Sequence, residues 1–407
     1  MNGSSRRKFL TRASCGGMSL VVGARSLQAA GSRNELDEFI EAEMQAQRIP
    51  GLAACIVKAG KIVWSRGYGW ANVKRRVAMD PDRTIQNIAS ISKTVTATAV
   101  MQLWEKGRFE LDDDINTYLP FAVRNPSHPE KPISFRFLLT HRSSIADGPA
   151  YMPSYACGDP SVSLETWIKG YLSPDGRYYR REANFHSWSP GKKYRYSNVG
   201  FGLLGYLVEK VSGESFTEFT KRHIFDPLGM KTTGWMLSEI APECHAVPYV
   251  PVNEGQVNKE LQAYKRMGIL RGEVERDPAR GSYQPLCLYS FPTYPDGSLR
   301  TGVNQLARFL LAYVNHGVYG GARILEADTV RLMLTRQNAT TPHQGLCWAT
   351  EPHEGQPHWF HDGADPGIRT RMSFRPSDGV GVVVFINRTG VELKKLNDRL
   401  FRESARF

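Results

Sequence analysis

The chain has 407 residues, of which 41% are hydrophobic and 23% are charged, an ordinary globular composition with enough length for a large core. The formal net charge is +12, but the excess is spread along the chain without a Lys/Arg block, which argues against nucleic-acid binding. No segment approaches the ~18 consecutive apolar residues of a membrane helix, so stable membrane insertion is not expected.

The first 30 residues have the order of features of an export signal. Ser-Arg-Arg-Lys-Phe-Leu at residues 5–10 resembles a twin-arginine start, and a short apolar stretch of small residues follows it. Leu-Gln-Ala-Ala at residues 27–30 then resembles an A-x-A cleavage zone. A merely basic, disordered start is the alternative. Because twin-arginine export carries folded proteins, this pattern predicts a periplasmic or secreted protein.

The N-terminal part of the remaining chain alternates helix and strand patterns. Residues 34–48 carry apolar side chains at helical spacing and predict an amphipathic helix. Two β-rich runs, 52–58 and 61–68, flank an Ala-Gly pair and predict a hairpin. The apolar segment 94–106 predicts a buried helix that ends at Gly107.

From about residue 111 to 291 the sequence is irregular to helical. Helices are predicted at residues 134–140 and 200–211. Residues 253–280 mix both charge signs with glycines, and we interpret them as a surface insertion at the edge of a substrate cleft. The sequence gives this segment no chemistry.

The last hundred residues return to mixed character. Residues 303–314 predict a helix, and residues 391–402 predict a closing amphipathic helix. Between them, strands at residues 368–374 and 380–387 are joined by a Pro-Ser-Asp-Gly turn.

A hairpin near each end of the chain predicts an α/β (α+β) fold in which helices flank an antiparallel sheet built from both termini. We expect one α/β domain from residues 34–110 and 292–407, with a mainly helical insertion domain at 111–291. Together, residues 34–390 would form a single catalytic unit.

The cysteine pattern predicts no metal site. Cys15 lies in the predicted signal, which leaves an odd number of cysteines, and no CxxC pair or His/Cys cluster indicates zinc. An oxidising compartment would permit a disulfide, but the spacing assigns no pair. No motif places a base near Cys347, so a small buried packing residue is the better interpretation.

A Ser-x-x-Lys motif at residues 90–93 is the strongest candidate for chemistry. Three residues apart on a helix, Ser90 and Lys93 lie on one face, where a desolvated lysine can act as the base for a serine nucleophile. The start of a helix also offers free N–H groups to a developing oxyanion. Ser5 and Lys8 match the same motif within the export signal, but they lack a buried helix after them.

The residues around Ser90 resemble a known superfamily. Asn-Ile-Ala-Ser-Ile-Ser-Lys at residues 87–93 is similar to the nucleophile segment of class C β-lactamases and penicillin-binding proteins, a group that includes esterases and D-specific peptidases. Residues 190–198 resemble the Tyr-x-Asn motif of that superfamily, and stretches at 138–141, 228–230 and 298–300 match it as well. The resemblance implies a β-lactamase/transpeptidase-like fold over residues 36–390.

Tyr196 and Asn198 form the second motif. A lysine ammonium beside Tyr196 is expected to lower the pKa of its phenol, so that Tyr196 takes the Ser90 proton and returns it to the leaving group. Asn198 would orient Lys93 and bind the substrate. The resemblance assigns these same roles. Tyr313 and Asn315 match the motif too, but they lie in a predicted helix.

The third motif of the superfamily is Lys-Thr-Gly or His-x-Gly on a strand that faces the serine. His343, His353 and His361 each begin a His-x-Gly match, and we choose His361 because it precedes the terminal hairpin. By resemblance, Ala364 supplies the second oxyanion N–H, and Gly363 allows close approach of the backbone.

Histidine in place of lysine attracts a substrate carboxylate less strongly, which weakens the case for efficient β-lactam hydrolysis. Arg369, Arg371 and Arg142 are candidates for the missing charge, although solvated surface arginines are the expected reading of each.

The sequence therefore predicts a serine hydrolase that acts on a small ester, amide or β-lactam, with neither a metal nor an organic cofactor. Its partners would be a small molecule or short peptide, and the oligomeric state is left open. The alternatives are a D-alanyl-D-alanine carboxypeptidase and a non-catalytic β-lactam- or peptide-binding protein.

Overall fold

The computed structural model describes residues 35–253, 259–341, 343–353 and 355–407, without the side chain of residue 353. The predicted export signal lies outside these residues. In the described ranges no helix combines the length and apolar character needed to cross a membrane. The α-helices α1 to α10 are Glu35–Ala46, Ser92–Glu105, Phe135–Leu139, Leu164–Leu172, Asn198–Ser212, Phe216–Thr220, Lys259–Arg266, Val303–Val314, Ala327–Met333 and Lys394–Glu403.

Most strands are short, and the long ones lie near the two ends of the chain. The strands β1 to β16 are Gly51–Lys58, Lys61–Asn72, Val77–Ala78, Gln86–Asn87, Ala156–Cys157, Tyr249–Val252, Glu275–Asp277, Gly281–Pro285, Tyr289–Ser290, Arg300–Thr301, Val318–Tyr319, Ala322–Arg323, Ala349–His353, Gln356–Asp365, Ile368–Arg375 and Val380–Ile386.

The main sheet joins both ends of the chain. Seven antiparallel strands lie in the order β13-β14-β15-β16-β1-β2-β3, and β1 pairs with β16 from Leu52 opposite Ile386 to Val57 opposite Gly381. This confirms the predicted fold class. The limits proposed for the two domains stay a prediction.

The neighbouring strands β16 and β1 are almost wholly apolar because both faces of the sheet are covered there. In β1, Cys55 and Val57 join the core that contains α8, while Leu52 and Ile56 join a second core with α1 and α10. Alternate side chains of a strand point to opposite faces, so a strand buried on both sides has no polar alternation. The terminal helices predicted from the sequence supply the cover on one face.

The local turn and cap predictions are confirmed. Ala59 and Gly60, between β1 and β2, have φ of 49° and 75°, the left-handed conformation that a two-residue hairpin turn requires. Gly107 ends α2 with φ of 65° and donates its N–H to the Trp104 carbonyl.

The region between the two parts of the sheet is mainly helical but also contains strands. Besides α3 to α7, it has a three-stranded sheet, β6-β8-β7, and the pair β5-β9. No sequence pattern predicted β7 and β8, which lie within and next to residues 253–280. These strands are short and rich in charged and polar residues, so they show no clear alternation of buried and exposed positions.

Candidate active site

Ser90 lies in a single 3₁₀ turn, residues 89–91, that leads directly into α2. Ala89, just before it, has φ of 49°, which is uncommon for a residue with a Cβ. Two side chains from other elements hold this turn. Asn87 Oδ1 accepts the Ala89 N–H at 2.6 Å, and Thr370 Oγ1 donates to the Ile88 carbonyl at 2.8 Å. The nucleophile candidate is thus fixed at a helix start against β15.

Lys93 is fully buried beneath Ser90 and is surrounded by acceptors. Its Nζ lies 3.1 Å from Ser90 Oγ, and it donates to Asn198 Oδ1 at 2.7 Å and to the Asp296 carbonyl at 2.6 Å. A carbonyl and an amide oxygen only accept, so they take two N–H groups of the amine. The third position on Nζ therefore faces the Ser90 hydroxyl, where a neutral amine would present its lone pair.

The environment of Lys93 lowers its pKa. Burial is the largest cause, because it removes water from the ammonium, and the negative charges of Asp296 and Asp147 act against it. A lowered pKa makes the neutral, basic form of Lys93 accessible closer to neutral pH.

Tyr196 lies beside the same two groups. Its hydroxyl is hydrogen-bonded to Ser90, and Lys93 Nζ lies 5.0 Å from the centre of its ring. The expected lowering of the Tyr196 pKa is wrong: burial raises it well above 10, and the hydrogen bond from Ser90 only partly offsets this. The phenol is almost fully enclosed, and Cys347, Asp296 and Asp147 raise its pKa further. Tyr196 is therefore a protonated hydroxyl in the free site.

Asn198 is the first residue of α5, and a carboxylate that the sequence analysis missed holds it in place. Asp147 Oδ2 accepts from Asn198 Nδ2 at 2.8 Å and from the Asn198 N–H at 3.0 Å. Asp147 Oδ1 accepts the Val199 N–H at 3.0 Å. These bonds fix the orientation of the Asn198 amide, so its oxygen points at Lys93. An acid is also favourable at a helix N-terminus.

His141, like Asp147, was not predicted as a site residue. The stretch 138–141 matched the superfamily, but no role was assigned to its histidine. Its ring stacks on Tyr196 with centroids 4.2 Å apart, and its Nδ1 accepts the Ser197 N–H at 3.2 Å. Burial and the Lys93 charge lower its pKa well below 6.5. His141 is thus a neutral ring that packs against one face of Tyr196.

The third motif lies on β14, opposite the nucleophile turn. A Cβ built on Gly363 would lie 2.1 Å from Thr370 Oγ1 and 2.4 Å from the Ile88 carbonyl, so only glycine lets this strand approach the Ser90 turn. Ala364, the next residue, is exposed and lines the cleft in front of Ser90. The structure thus brings His361, Gly363 and Ala364 to the same site as Ser90 and Lys93.

His361 is a neutral ring. Its Nδ1 lies 2.8 Å from the Asp362 carbonyl, which only accepts, so Nδ1 carries the proton. Burial, followed by the charge of Lys93, lowers its pKa to about 4. His361 therefore offers no positive charge to a substrate carboxylate near pH 7.

The arginines that the sequence analysis treated as surface residues are largely tied to protein partners. Arg371 is buried, is paired with Asp362 and Glu351, and lies 4.2 Å above the Phe360 ring. Arg142 is also buried and donates to the Gly191 carbonyl. For these two the interpretation as solvated side chains is wrong, because strand pairing and loop packing cover them.

Arg369 is partly exposed at the cleft. Its side chain donates to the Val391 and Gly363 carbonyls and lies 3.6 Å from Asp362. The guanidinium of Arg369 is therefore largely occupied by hydrogen bonds and a carboxylate of the protein itself.

A cleft of about 630 Å³ opens in front of Ser90. Aromatic rings form much of its wall, among them Tyr151, Tyr155 and Phe291, and α7 contributes Tyr264. Within residues 253–280, therefore, α7 borders the cleft, through Glu260 and Tyr264. Cys347 also lines it but is buried, and burial raises the pKa of its thiol, as expected for a packing residue.

A disulfide supports the aromatic wall. Cys157 in β5 is bonded to Cys287, two residues before Tyr289 in β9. Tyr155 lies two residues before Cys157, and its ring packs on Phe291 with centroids 4.3 Å apart. The sequence could not assign this pair because 130 residues separate the two cysteines. Within the described ranges, no group of three or more His, Cys, Asp or Glu side chains has the arrangement of a metal site.

Comparisons with known proteins identify similar sequences. A family model described as Beta-lactamase matches residues 36–405. Protein flp of Staphylococcus aureus (strain MW2) is 29% identical over 218 residues, which are 54% of this chain and 41% of that protein. The chain thus spans less than half the length of this curated relative. A putative penicillin-binding protein PbpX of Bacillus subtilis (strain 168) is 28% identical over 286 residues, 67% of this chain and 66% of the relative.

Solved structures share the fold. The octameric penicillin-binding protein homologue from Pyrococcus abyssi has a TM-score of 0.68 and 24% identity, over 91% of this chain and 77% of that chain. At this identity the likeness shows the fold alone, and it confirms the predicted β-lactamase/transpeptidase-like architecture.

Proposed function

Because the chain belongs to the Beta-lactamase family, we propose that it is a serine hydrolase that works through an acyl-enzyme on Ser90. One observation carries the proposal. Lys93 Nζ lies 3.1 Å from Ser90 Oγ while its other two N–H positions are taken by Asn198 Oδ1 and the Asp296 carbonyl. A buried amine held in this way has one free direction for a proton, and that direction is the serine hydroxyl.

The proposed reaction begins when Ser90 Oγ attacks a carbonyl carbon and Lys93 Nζ takes the hydroxyl proton. The N–H groups of Ser90 and Ala364 hold the oxyanion, and Asn198 and His361 orient the substrate. As the bond to the leaving group breaks, the Tyr196 phenol protonates the leaving group, and the proton on Lys93 restores the phenol. Water then attacks the acyl carbon and gives one proton to Lys93, and Lys93 passes this proton to the Ser90 oxygen as it leaves.

Within this class of reactions we propose a small ester or amide as the substrate. The groups that face the cleft offer little to a substrate carboxylate, because His361 is neutral and Arg371 is buried in ion pairs. Arg369 is engaged by two carbonyls and by Asp362. Both β-lactams and D-Ala-D-Ala peptides carry a carboxylate near the scissile bond, so both should be poorer substrates than neutral esters or amides.

The test compares a nitrophenyl acetate or butyrate ester, a chromogenic cephalosporin and a D-Ala-D-Ala peptide with the purified protein. We expect turnover of the ester with kcat/KM at least ~10-fold above that for either carboxylate substrate. A ~10-fold difference corresponds to about 1.4 kcal/mol, which is what the loss of one charge interaction with the substrate would cost. Mass spectrometry of the intact protein should show an acyl adduct that disappears with time.

Other outcomes decide between the alternatives. Faster cleavage of the D-Ala-D-Ala peptide would favour a cell-wall carboxypeptidase. A stable adduct without turnover would favour a protein that binds β-lactams or peptides, and a protein that neither acylates nor hydrolyses any of the three would contradict the proposal.

Tyr196→Phe tests the role of the phenol as a proton donor. We expect kcat for an alkyl amide to fall ~10²–10³-fold, within the usual range for a lost general acid. A nitrophenyl ester should lose less, because nitrophenolate leaves without a proton. Tyr319→Phe, on the distant strand β11, is the matched control and should keep wild-type rates. Equal losses for both substrates would remove Tyr196 from the step that releases the leaving group.

We also propose that the protein acts in the periplasm or outside the cell. The twin-arginine pattern at residues 5–10 supports this location, and the Cys157–Cys287 disulfide fits an oxidising compartment.

A further inference from the structure

Beside Lys93 lies a buried carboxylate that the proposed reaction does not yet use. Asp296 ends the 3₁₀ turn Tyr294–Asp296 and is 1% exposed. Its main-chain carbonyl accepts from Lys93 Nζ at 2.6 Å, and its Oδ1 lies 3.8 Å from the same nitrogen. One residue therefore supplies Lys93 with both an acceptor and a negative charge.

A chain of tyrosine hydroxyls holds this carboxylate. Tyr151 donates to Asp296 Oδ1 at 2.9 Å, and its hydroxyl lies 3.3 Å from that of Tyr155. Tyr155 in turn donates to Asp365 Oδ1 at 3.1 Å. Within the described part of the chain, the ion pair that Asp296 forms is with Lys93. The same oxygen, Oδ1, thus accepts from Tyr151 and lies near the Lys93 amine, so the hydroxyl chain holds the carboxylate beside that amine.

We infer that Asp296 is a positioning residue whose carboxylate stabilises the ammonium that Lys93 becomes when it takes the Ser90 proton. In this arrangement Ser90 is the nucleophile, Lys93 is the base, and the Asp296 carboxylate supports the base. This inference rests on the proposed function, because it concerns the base of that reaction. The arrangement follows the general logic of catalytic triads, in which a third group stabilises the protonated base.

The charges around both groups support this role. Asp296, Asp147, Cys347 and Asp365 raise the pKa of Lys93 against the larger effect of burial, and Asp296 is the largest of the four. Burial raises the pKa of Asp296 to about 6, while Lys93, Thr293 and Tyr151 lower it and Asp147 raises it further. The neighbouring rings of His141, His361 and Tyr196 are uncharged near pH 7. Above pH 6, Asp296 is therefore mostly ionised and acts on Lys93.

Asp296→Asn separates this role from a purely structural one. The amide keeps the shape of the side chain and can accept from Tyr151, but it removes the charge. The neutral form of Lys93 is the base, so kcat/KM for the ester rises with pH through the Lys93 pKa. Removing the negative charge lowers that pKa, so the acid limb of the profile should move to lower pH by about 1 unit or more. The plateau should fall ~10-fold, because a weaker base remains.

Asp365→Asn is the matched control. It makes the same substitution at the far end of the same hydroxyl chain. Burial raises the pKa of Asp365 to about 8, so this carboxyl is mostly neutral where Asp296 is already ionised, and it acts on Lys93 more weakly than Asp296 does. We expect a smaller shift of the acid limb than in Asp296→Asn. If the acid limb of Asp296→Asn stays at its wild-type position, or if both variants shift it equally, the inference is overturned.

A titration of the wild-type protein keeps the test independent of turnover and of folding in the variant. With lysines labelled with ¹³C at Cε, the Lys93 resonance, assigned with Lys93→Met, should show an inflection near pH 6 as Asp296 ionises. A Lys93 resonance without such an inflection overturns the inference. If the protein neither acylates nor hydrolyses, the proposed function fails, while this titration still decides whether Asp296 and Lys93 are coupled.

Discussion

Ser90→Ala is expected to lower kcat/KM for a nitrophenyl ester by at least ~10⁴-fold and to abolish the acyl adduct, since losses of this size follow removal of a nucleophile from a serine hydrolase. Alanine removes the attacking oxygen and keeps the Cβ and the main chain. The turn around it is held by Asn87 and Thr370, which the substitution leaves in place. The variant should therefore fold normally and keep its affinity for substrate.

The measurement combines steady-state kinetics with mass spectrometry of the intact protein, and thermal unfolding checks the fold. Ser377→Ala is the matched control, because Ser377 is exposed in the turn between β15 and β16, far from the cleft. It should behave as wild type. A Ser90→Ala protein that hydrolyses the ester as fast as wild type contradicts the whole proposed mechanism.

Lys93→Met should lower kcat by ~10³-fold or more, since the base is lost and a general base contributes 10²–10⁴-fold. Methionine fills most of the same buried volume without a polar atom to satisfy. The reaction should lose its dependence on the Lys93 pKa, so the acid limb of the pH profile should disappear as well. Lys93 is wholly enclosed, so an added small amine should rescue the rate poorly.

Kinetics across pH 5 to 9 check this prediction against Lys192→Met, which makes the same change at an exposed lysine before the Tyr-x-Asn motif. The control should retain both rate and profile. A Lys93→Met enzyme that keeps the wild-type acid limb would show that another group titrates there, and Tyr196 would then have to be reconsidered as the base.

Much of the fold could be predicted because its signals are local. The predicted helix over residues 303–314 has the bounds of α8, since its apolar spacing ends with the helix itself. The terminal hairpin was visible from a buried apolar run, β16, and from the Pro-Ser-Asp-Gly turn before it. By contrast, β7 and β8 are held by pairing with each other and with β6, which no local pattern displays.

The residues of the site were predicted from motifs, but their charge partners were not. Asp147 and Asp296 belong to no motif of the sequence analysis, although each bonds to a motif residue. Each lies more than 50 residues along the chain from the motif residue that it supports, so spacing could not link them. Their roles depend on where α5 and the turn before β10 pack against α2.

The sequence by itself determined which groups are available: a serine and lysine one helical turn apart, a Tyr-x-Asn pair, and a His-x-Gly segment before the last hairpin. Only the tertiary structure decided their protonation. The pKa of Tyr196 rises instead of falling because burial disfavours the charged phenolate and the hydrogen bond from Ser90 offsets only part of this. Burial and charge act through space between segments far apart in the chain, so no stretch of sequence contains them.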